Sequence, residues 1–86
     1  MAEFSPDTAP VISPDANPEA KLAAATAFKD MGNEHLAQCK YHLAVEEYTK
    51  AIELYPTAIF YANRAQAMLK MESYGLAIED ATEALK

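Results

Sequence analysis

Two lysines and two asparagines have a spacing that could form a binding site for a carboxylate. Lys29 and Asn33 are four positions apart and Asn63 and Lys70 are seven apart, so each pair would lie on one face of an α-helix. A lysine offers a point charge, and an asparagine amide donates to an oxygen acceptor or holds a peptide backbone. If both faces meet one groove, an acidic ligand would fit. The alternative is that all four are solvated helix residues.

Residues with catalytic or metal-binding chemistry are few and scattered. His35, Cys39 and His42 lie near one predicted turn, but a closed zinc site needs four ligands, so we predict no metal site. The sequence has no phosphate-binding glycine loop and no carboxylate pair placed for acid–base work. We therefore predict no catalytic residue and no cofactor. The acids that we expect to form a solvated outer surface are Glu46, Glu47, Glu53, Glu79, Asp80 and Glu83.

The composition favours a small folded domain. Of the 86 residues, 51% are apolar, which is enough for a packed core, and the formal net charge is -6. Nucleic acids and anionic membranes need a basic surface, so this balance argues against both as partners. The chain has one cysteine and no secretory signal, and its apolar runs are too short to cross a membrane. We expect a cytoplasmic or nuclear protein.

A change in composition near residue 18 divides the chain. Residues 1–18 hold four of the five prolines, which break helix, and too few apolar residues to drive folding. This pattern predicts a flexible tail rich in proline, serine and acids. Ser5 and Ser13 each precede a proline, so proline-directed phosphorylation and a plain solvated leader both stay open as interpretations.

The remaining residues predict an all-α fold of four helices. Asn17-Pro18-Glu19 has the features of a helix start, and Pro56 ends the second helix. A third helix is expected from about Ala58. Breaks near residues 38–41 and 72–73 make two antiparallel hairpins, residues 19–56 and 57–86. Apolar stripes expected to face the core include Leu22, His35, Leu69 and Tyr74. On the fourth helix we expect partial exposure of Ala77, Ile78, Ala81 and Leu85.

The two predicted hairpins are alike in sequence when Tyr41 is aligned with Tyr74. Small residues recur where helices must approach closely, and large ones recur between them, as stacked helical hairpins require. The matched pairs include Phe28 with Tyr61, Gly32 with Ala65, Leu36 with Leu69, Tyr48 with Ala81, and Ala51 with Ala84.

These residues resemble the tetratricopeptide-repeat (TPR) family. The first repeat is carried by the run from Phe28 to Asn33, by Tyr41 and Ala44, and by the run from Tyr48 to Pro56. The second is carried by Asn63-Arg64-Ala65 and by the run from Tyr74 to Ala81. The resemblance implies two stacked TPR hairpins in which the first helix of each repeat lines a concave groove. The repeat of this chain is one position shorter than the usual period of the family.

Within this family, Gly32-Asn33 and Asn63-Arg64 are similar to the subset that forms a carboxylate clamp. The resemblance implies that the clamp holds the acidic C-terminal (EEVD-type) tail of the 90-kDa or 70-kDa heat-shock chaperones. Lys29, Asn33 and Asn63 would then hold the terminal carboxylate, and Lys70 an acidic side chain or a backbone carbonyl. The neighbouring pockets would be shaped by Leu36, Ile59 and Gln66. The family's other clamp residues lie on a third repeat, which we expect to be absent from this chain.

The sequence also resembles the TPR part of serine/threonine protein phosphatases, in which this region regulates or inhibits its own catalytic domain. That resemblance implies a metal-dependent phosphatase as the full-length protein, although this chain itself is expected to have no enzyme activity. A TPR segment of a non-enzymatic co-chaperone or adaptor is the alternative. A further alternative is self-association of the helical fragment, since two repeats bury little apolar surface.

Overall fold

The computed structural model describes residues 17–86, and this part of the chain contains four α-helices and no β-strand. They are α1 (Pro18–Ala37), α2 (Tyr41–Leu54), α3 (Ala58–Lys70) and α4 (Tyr74–Ala84). Helices α1 and α2 pack as one hairpin, α3 and α4 as the other, and α2 packs against α3. The prediction of an all-α fold of helical hairpins is confirmed. The predicted tail, residues 1–18, lies outside the described residues except for Asn17 and Pro18.

Side chains cap the first helix of each hairpin. The Asn17 Oδ1 accepts a hydrogen bond from the Ala20 amide at 2.8 Å, and Pro18 occupies the first turn. In the same way, the Thr57 Oγ1 accepts from the Phe60 amide at 3.3 Å at the start of α3. Each cap satisfies one of the amides that a helix N-terminus leaves without a partner. The predicted starts of α1 and α3 are therefore confirmed.

The two hairpins also repeat each other in their turns. Cys39 and Glu72, which occupy matching positions of the two repeats, both have positive φ, at 61° and 62°. After each helix the next amide returns to a carbonyl five residues earlier, from Lys40 to His35 at 2.8 Å and from Ser73 to Met68 at 2.9 Å. This is the Schellman pattern of helix termination, in which glycine is the usual left-handed residue. The turn geometry thus forms without glycine at either position.

Two buried clusters hold the helices together through α2. Phe28 of α1, Ile52 of α2 and Phe60 of α3 share the first cluster, and Tyr48 of α2 packs with Ala67 of α3 in the second. Gly32 makes room for Tyr48, because a Cβ at Gly32 would lie 2.5 Å from Cε1 of the tyrosine ring. Helices α1 and α3, which carry the candidate site, are therefore both anchored on α2.

A polar contact joins α2, α3 and α4 beside these clusters. The Arg64 guanidinium donates two hydrogen bonds to the Asp80 carboxylate, from Nε at 2.7 Å and from Nη2 at 2.8 Å. Its Nη1 donates to the Thr49 Oγ1 at 3.1 Å. The Asp80 side chain is only 7% exposed. The prediction that Asp80 belongs to the solvated surface is therefore wrong, because a facing arginine neutralises it inside the fold.

The outer side of α4 is largely uncovered, as expected for Ile78 and Leu85. Ala77 is buried, contrary to our expectation, but Ile78 is 66% exposed and Leu85 is 89% exposed. The predicted core positions Leu22, Leu69 and Tyr74 are also exposed, at 39%, 52% and 56%. In the first hairpin, the residues that correspond to Leu85, Ile78 and Leu69 are packed in the buried clusters. They are Ile52, Val45 and Leu36, in that order. None of the helices among residues 17–86 is both long enough and apolar enough to cross a bilayer.

Candidate functional site

Helix α1 contributes Lys29 and Asn33 on one face, as their spacing predicts. The Lys29 side chain is about a quarter exposed, and its Nζ lies 3.1 Å from the Asp30 Oδ1. Asn33 lies one turn further along and is exposed. Asp30 is itself well exposed, so its contact with Lys29 is a surface ion pair of small energetic weight. An incoming carboxylate can therefore compete for this lysine.

A buried tyrosine holds the exposed amide of Asn33. The Tyr48 hydroxyl donates a hydrogen bond to the Asn33 Oδ1, while the Tyr48 residue as a whole is 0% exposed. Burial raises the pKa of Tyr48, so its hydroxyl stays protonated and donates at neutral pH. With Oδ1 engaged in this way, the Asn33 side chain has its Nδ2 hydrogens to offer to a ligand.

Helix α3 contributes the other predicted residues along one solvent-facing stripe. Ile59, Asn63, Gln66 and Lys70 follow the spacing of four, three and four residues that keeps side chains on one helix face. Asn63 is half-buried, whereas Ile59, Gln66 and Lys70 are exposed. Lys70 lies in the last turn of α3, and its charge takes part in no ion pair within residues 17–86.

The structure thus places the two predicted pairs on α1 and α3, two helices that both pack against α2. Leu36, predicted to shape a pocket, is half-buried against the cluster that contains Tyr48 and Ala67. That Lys29 and Asn33 meet the same ligand as Asn63 and Lys70 stays a prediction. The four side chains supply positive charge and amide donors, and this combination suits an oxygen-rich anion such as a peptide carboxylate.

Sequence reasoning gave no role to Arg64 or Tyr48 in this arrangement. The Asp80 carboxylate raises the pKa of Arg64 by hydrogen bonding, although burial acts in the opposite direction. The guanidinium also lies 5.6 Å from the centre of the Tyr61 ring. The sequence did contain a signal for this pair. Arg64 lies eight positions before Glu72 and Asp80 lies eight positions after it, so the two residues face each other when the chain turns at Glu72. The Arg64 side chain therefore holds α2, α3 and α4 together through Thr49 and Asp80.

The prediction of no metal site concerned His35, Cys39 and His42. Among residues 17–86 the structure has no group of three or more His, Cys, Asp or Glu side chains placed to hold a metal ion. Cys39 is exposed in its turn. His35 is half-buried, and its Nδ1 has no hydrogen-bond partner. A separate open depression of about 480 Å³ has Arg64 and Asp80 in its lining together with Glu79 and Glu83.

Several known proteins are similar to this chain. It is 50% identical over 66 residues to serine/threonine-protein phosphatase T of Aspergillus oryzae, covering 76% of this chain and 14% of that protein. It is 41% identical over 69 residues to serine/threonine-protein phosphatase 5 of Rattus norvegicus, covering 79% of this chain and 14% of the relative. No family model and no solved structure was found to match.

A relative of another kind matches over a similar length. Small glutamine-rich tetratricopeptide repeat-containing protein 2 of Saccharomyces cerevisiae is 42% identical over 73 residues, covering 84% of this chain and 21% of that protein. The chain thus spans between about a seventh and a fifth of the length of these relatives. The matched region makes up only 14% of each of the two phosphatases. The helical hairpins, their internal repeat and these relatives support its assignment as a tetratricopeptide-repeat domain.

Proposed function

We propose that this chain is a protein-interaction module of the carboxylate-clamp type. Its ligand is the acidic C-terminal tail of a 90-kDa or 70-kDa heat-shock chaperone. The terminal carboxylate meets Lys29, Asn33 and Asn63, and Lys70 meets an acidic side chain or a carbonyl of the peptide. The observation that supports this most is the pair of polar, solvent-facing stripes on α1 and α3, both anchored on α2.

Charge makes these stripes informative. The chain has 13 acidic residues against seven basic ones, so its overall field repels an acidic peptide. Such a ligand can bind only where lysines and amide donors are gathered locally. A hydrogen bond to a charged group contributes about 1.5–3 kcal/mol, so loss of one clamp side chain should weaken binding about 10- to 150-fold.

Calorimetric titration with an EEVD-ending peptide tests the proposal. The free-acid peptide should bind more tightly than its C-terminally amidated form, and both Lys29→Ala and Asn33→Ala should weaken binding of the free acid. Lys40→Ala is the matched control, because it removes the same charge from the exposed connection before α2. Equal binding of the two peptides, or equal effects of Lys29→Ala and Lys40→Ala, would count against a clamp.

We further propose that the module is the regulatory part of a serine/threonine protein phosphatase in the cytoplasm or nucleus. Its second partner is then the protein's own catalytic domain. Relatives that bear the phosphatase name support this, and the small glutamine-rich relative supports the adaptor alternative. Sequencing of the full-length transcript separates the two: a metallophosphatase segment after Lys86 supports the first, and a glutamine-rich segment supports the second.

Self-association is a second candidate function, favoured by the open side of α4. Tyr74, Ile78, Ala81 and Leu85 follow one helix face, and the two aliphatic side chains at its centre and end are mostly exposed. Antiparallel pairing of two copies about the small Ala81 places Ile78 of each copy against Leu85 of the other. The stripe is thus self-complementary.

Sedimentation velocity at increasing protein concentration tests this candidate. Ile78→Glu should shift any dimer to monomer, whereas Leu76→Glu should not. Leu76 is a matched control because it is similarly exposed but lies on the opposite face of α4. A wild-type chain that stays monomeric with a cooperative melt would exclude self-association.

A further inference from the structure

Tyr48 connects the most buried part of the fold to the candidate binding surface. Its ring is enclosed with Ala44 and Ala67, yet its hydroxyl reaches the exposed side chain of Asn33 on the neighbouring helix. The ring fits only because residue 32 is glycine, since a Cβ there would be 2.5 Å from Cε1 and 2.7 Å from Cδ1. Gly32, Asn33 and Tyr48 therefore form one structural unit, which we call the tyrosine lock.

We propose that Tyr48 is a positioning residue that fixes which end of the Asn33 amide faces the ligand. This inference rests on the proposed carboxylate-clamp function and deepens it. Tyr48 is 0% exposed, and Asn33 is the one hydrogen-bond partner of its hydroxyl among the described residues. A flipped amide would donate to the hydroxyl oxygen and leave the buried O–H hydrogen without an acceptor, so the amide stays with Oδ1 toward the hydroxyl and presents Nδ2 as a donor. The site then selects an acceptor such as a carboxylate over a C-terminal amide, whose nitrogen offers only donors at that position.

The chemistry of the amide explains why such a lock is needed. An asparagine side chain has a donor and an acceptor of nearly the same shape, so a flip of the amide group exchanges the two and reverses its hydrogen-bonding character. An exposed asparagine with no internal partner samples both orientations. Holding one orientation before binding removes an ordering cost that the ligand would otherwise meet.

The second hairpin lacks this device, which locates the selective end of the site on α1. When the two repeats are aligned, Asn33 corresponds to Gln66, Tyr48 to Ala81, and Gly32 to Ala65. Gln66 is exposed, and no hydrogen bond holds its side-chain amide among the described residues. Donor selection therefore depends on the first hairpin.

Tyr48→Phe is the informative substitution, because it keeps the packed ring and removes only the hydroxyl. We expect it to weaken binding of a free-acid EEVD-ending peptide about two- to tenfold, the effect of losing one ordinary hydrogen bond. We also expect a smaller preference for the free acid over the amidated peptide. In an Asn33→Ala background the same substitution should have no further effect on binding.

The double-mutant comparison separates positioning from a merely structural role. If Tyr48→Phe weakens binding equally with and without Asn33, the hydroxyl acts through the fold and the inference is overturned. If Asn33→Ala weakens binding but Tyr48→Phe leaves affinity and acid preference unchanged, the inference also fails, while the clamp itself stands. If the wild-type chain does not discriminate between the two peptides, the proposed function fails and takes the inference with it.

A second variant guards against loss of folding. Asn33→Asp keeps an acceptor for the Tyr48 hydroxyl, so it should melt close to the wild-type temperature. It has no donor and adds a negative charge, so it should bind the free-acid peptide more weakly than Asn33→Ala does. Binding by Asn33→Asp as tight as that of the wild type would contradict the donor role.

Discussion

The two glycines of this chain give a matched test of the packing around Tyr48. Gly32 and Gly75 both lie in helices and neither has positive φ. A Cβ at Gly32 would lie 2.5, 2.7 and 3.0 Å from three atoms of the Tyr48 ring, whereas a Cβ at Gly75 would have no neighbour within 4 Å. The same change to alanine should therefore have opposite effects on stability at the two sites.

The size of each effect follows from two contributions. In a helix, alanine is favoured over glycine by about 1 kcal/mol, and this applies in full or in part to both positions. At Gly32, ordinary carbon contacts of about 3.5–4.0 Å require the tyrosine ring to move by about 1 Å. That ring is fully buried, and forced overpacking costs about 1–3 kcal/mol, with about 1 kcal/mol more if the Asn33 hydrogen bond breaks.

We therefore expect Gly32→Ala to lower the free energy of unfolding by about 2 kcal/mol, and Gly75→Ala to raise it by up to about 0.5–1 kcal/mol. Thermal unfolding followed by circular dichroism measures both, and for a domain of this size 1 kcal/mol shifts the midpoint by about 4–8 °C. A Gly32→Ala variant that melts at or above the wild-type temperature, with Gly75→Ala behaving as expected, would refute the steric reasoning.

Three other predictions concern stability. Asp80→Ala should destabilise the chain by about 3 kcal/mol in urea unfolding, because it leaves the Arg64 guanidinium, 18% exposed, without its carboxylate; Lys86→Ala, at an exposed pair, should change stability by under about 0.5 kcal/mol. Cys39→Gly and Glu72→Gly should each stabilise by about 0.5–1 kcal/mol by relieving positive φ, and a loss of stability in calorimetry would contradict this. Burial raises the pKa of Tyr48 in the folded state. The stability that the protonated Tyr48 side chain contributes is therefore fully present below about pH 10, and it is lost as the pH rises through the higher pKa of the folded state. Alkaline unfolding should therefore begin at higher pH in Tyr48→Phe than in the wild type. A smaller dependence of stability on pH should remain in that variant, because the Cys39 side chain raises the pKa of Tyr41.

The helices could be predicted from sequence because their signals are local. Asn17 with Pro18, Thr57 before Ala58 and the apolar period of three or four residues each depend on a few neighbouring positions. The two turns were placed by the repeat, and the structure gives them the same backbone geometry at Cys39 and Glu72. Local capping and periodicity thus predict element boundaries without knowledge of the tertiary contacts.

Burial at particular positions could not be predicted in the same way. Asp80 has the composition of a solvated acid, and only the facing Arg64 on another helix makes its burial favourable. Tyr74 corresponds to Tyr41 when the two repeats are aligned, but the Tyr74 residue is 56% exposed. Periodicity indicates which side chains share a face, whereas burial depends on what covers that face.

The candidate site shows the same division between spacing and contact. The spacing of Lys29 with Asn33 correctly predicts a shared helix face, since it depends only on helix geometry. It could not predict which end of the Asn33 amide is free. That property comes from Tyr48, fifteen residues away on another helix, and from the absence of a Cβ at Gly32.

Each hairpin has its own polar connection between its two helices, and the two connections serve different ends. In the first, Tyr48 contacts Asn33 at the proposed binding face; in the second, Arg64 contacts Asp80 inside the fold. The positions are not equivalent, because Arg64 and Asp80 correspond to Met31 and Glu47 in the first hairpin. Substitutions at the Arg64–Asp80 pair should therefore lower stability without changing acid selectivity, whereas loss of the Tyr48 hydroxyl should change selectivity in a chain that still folds.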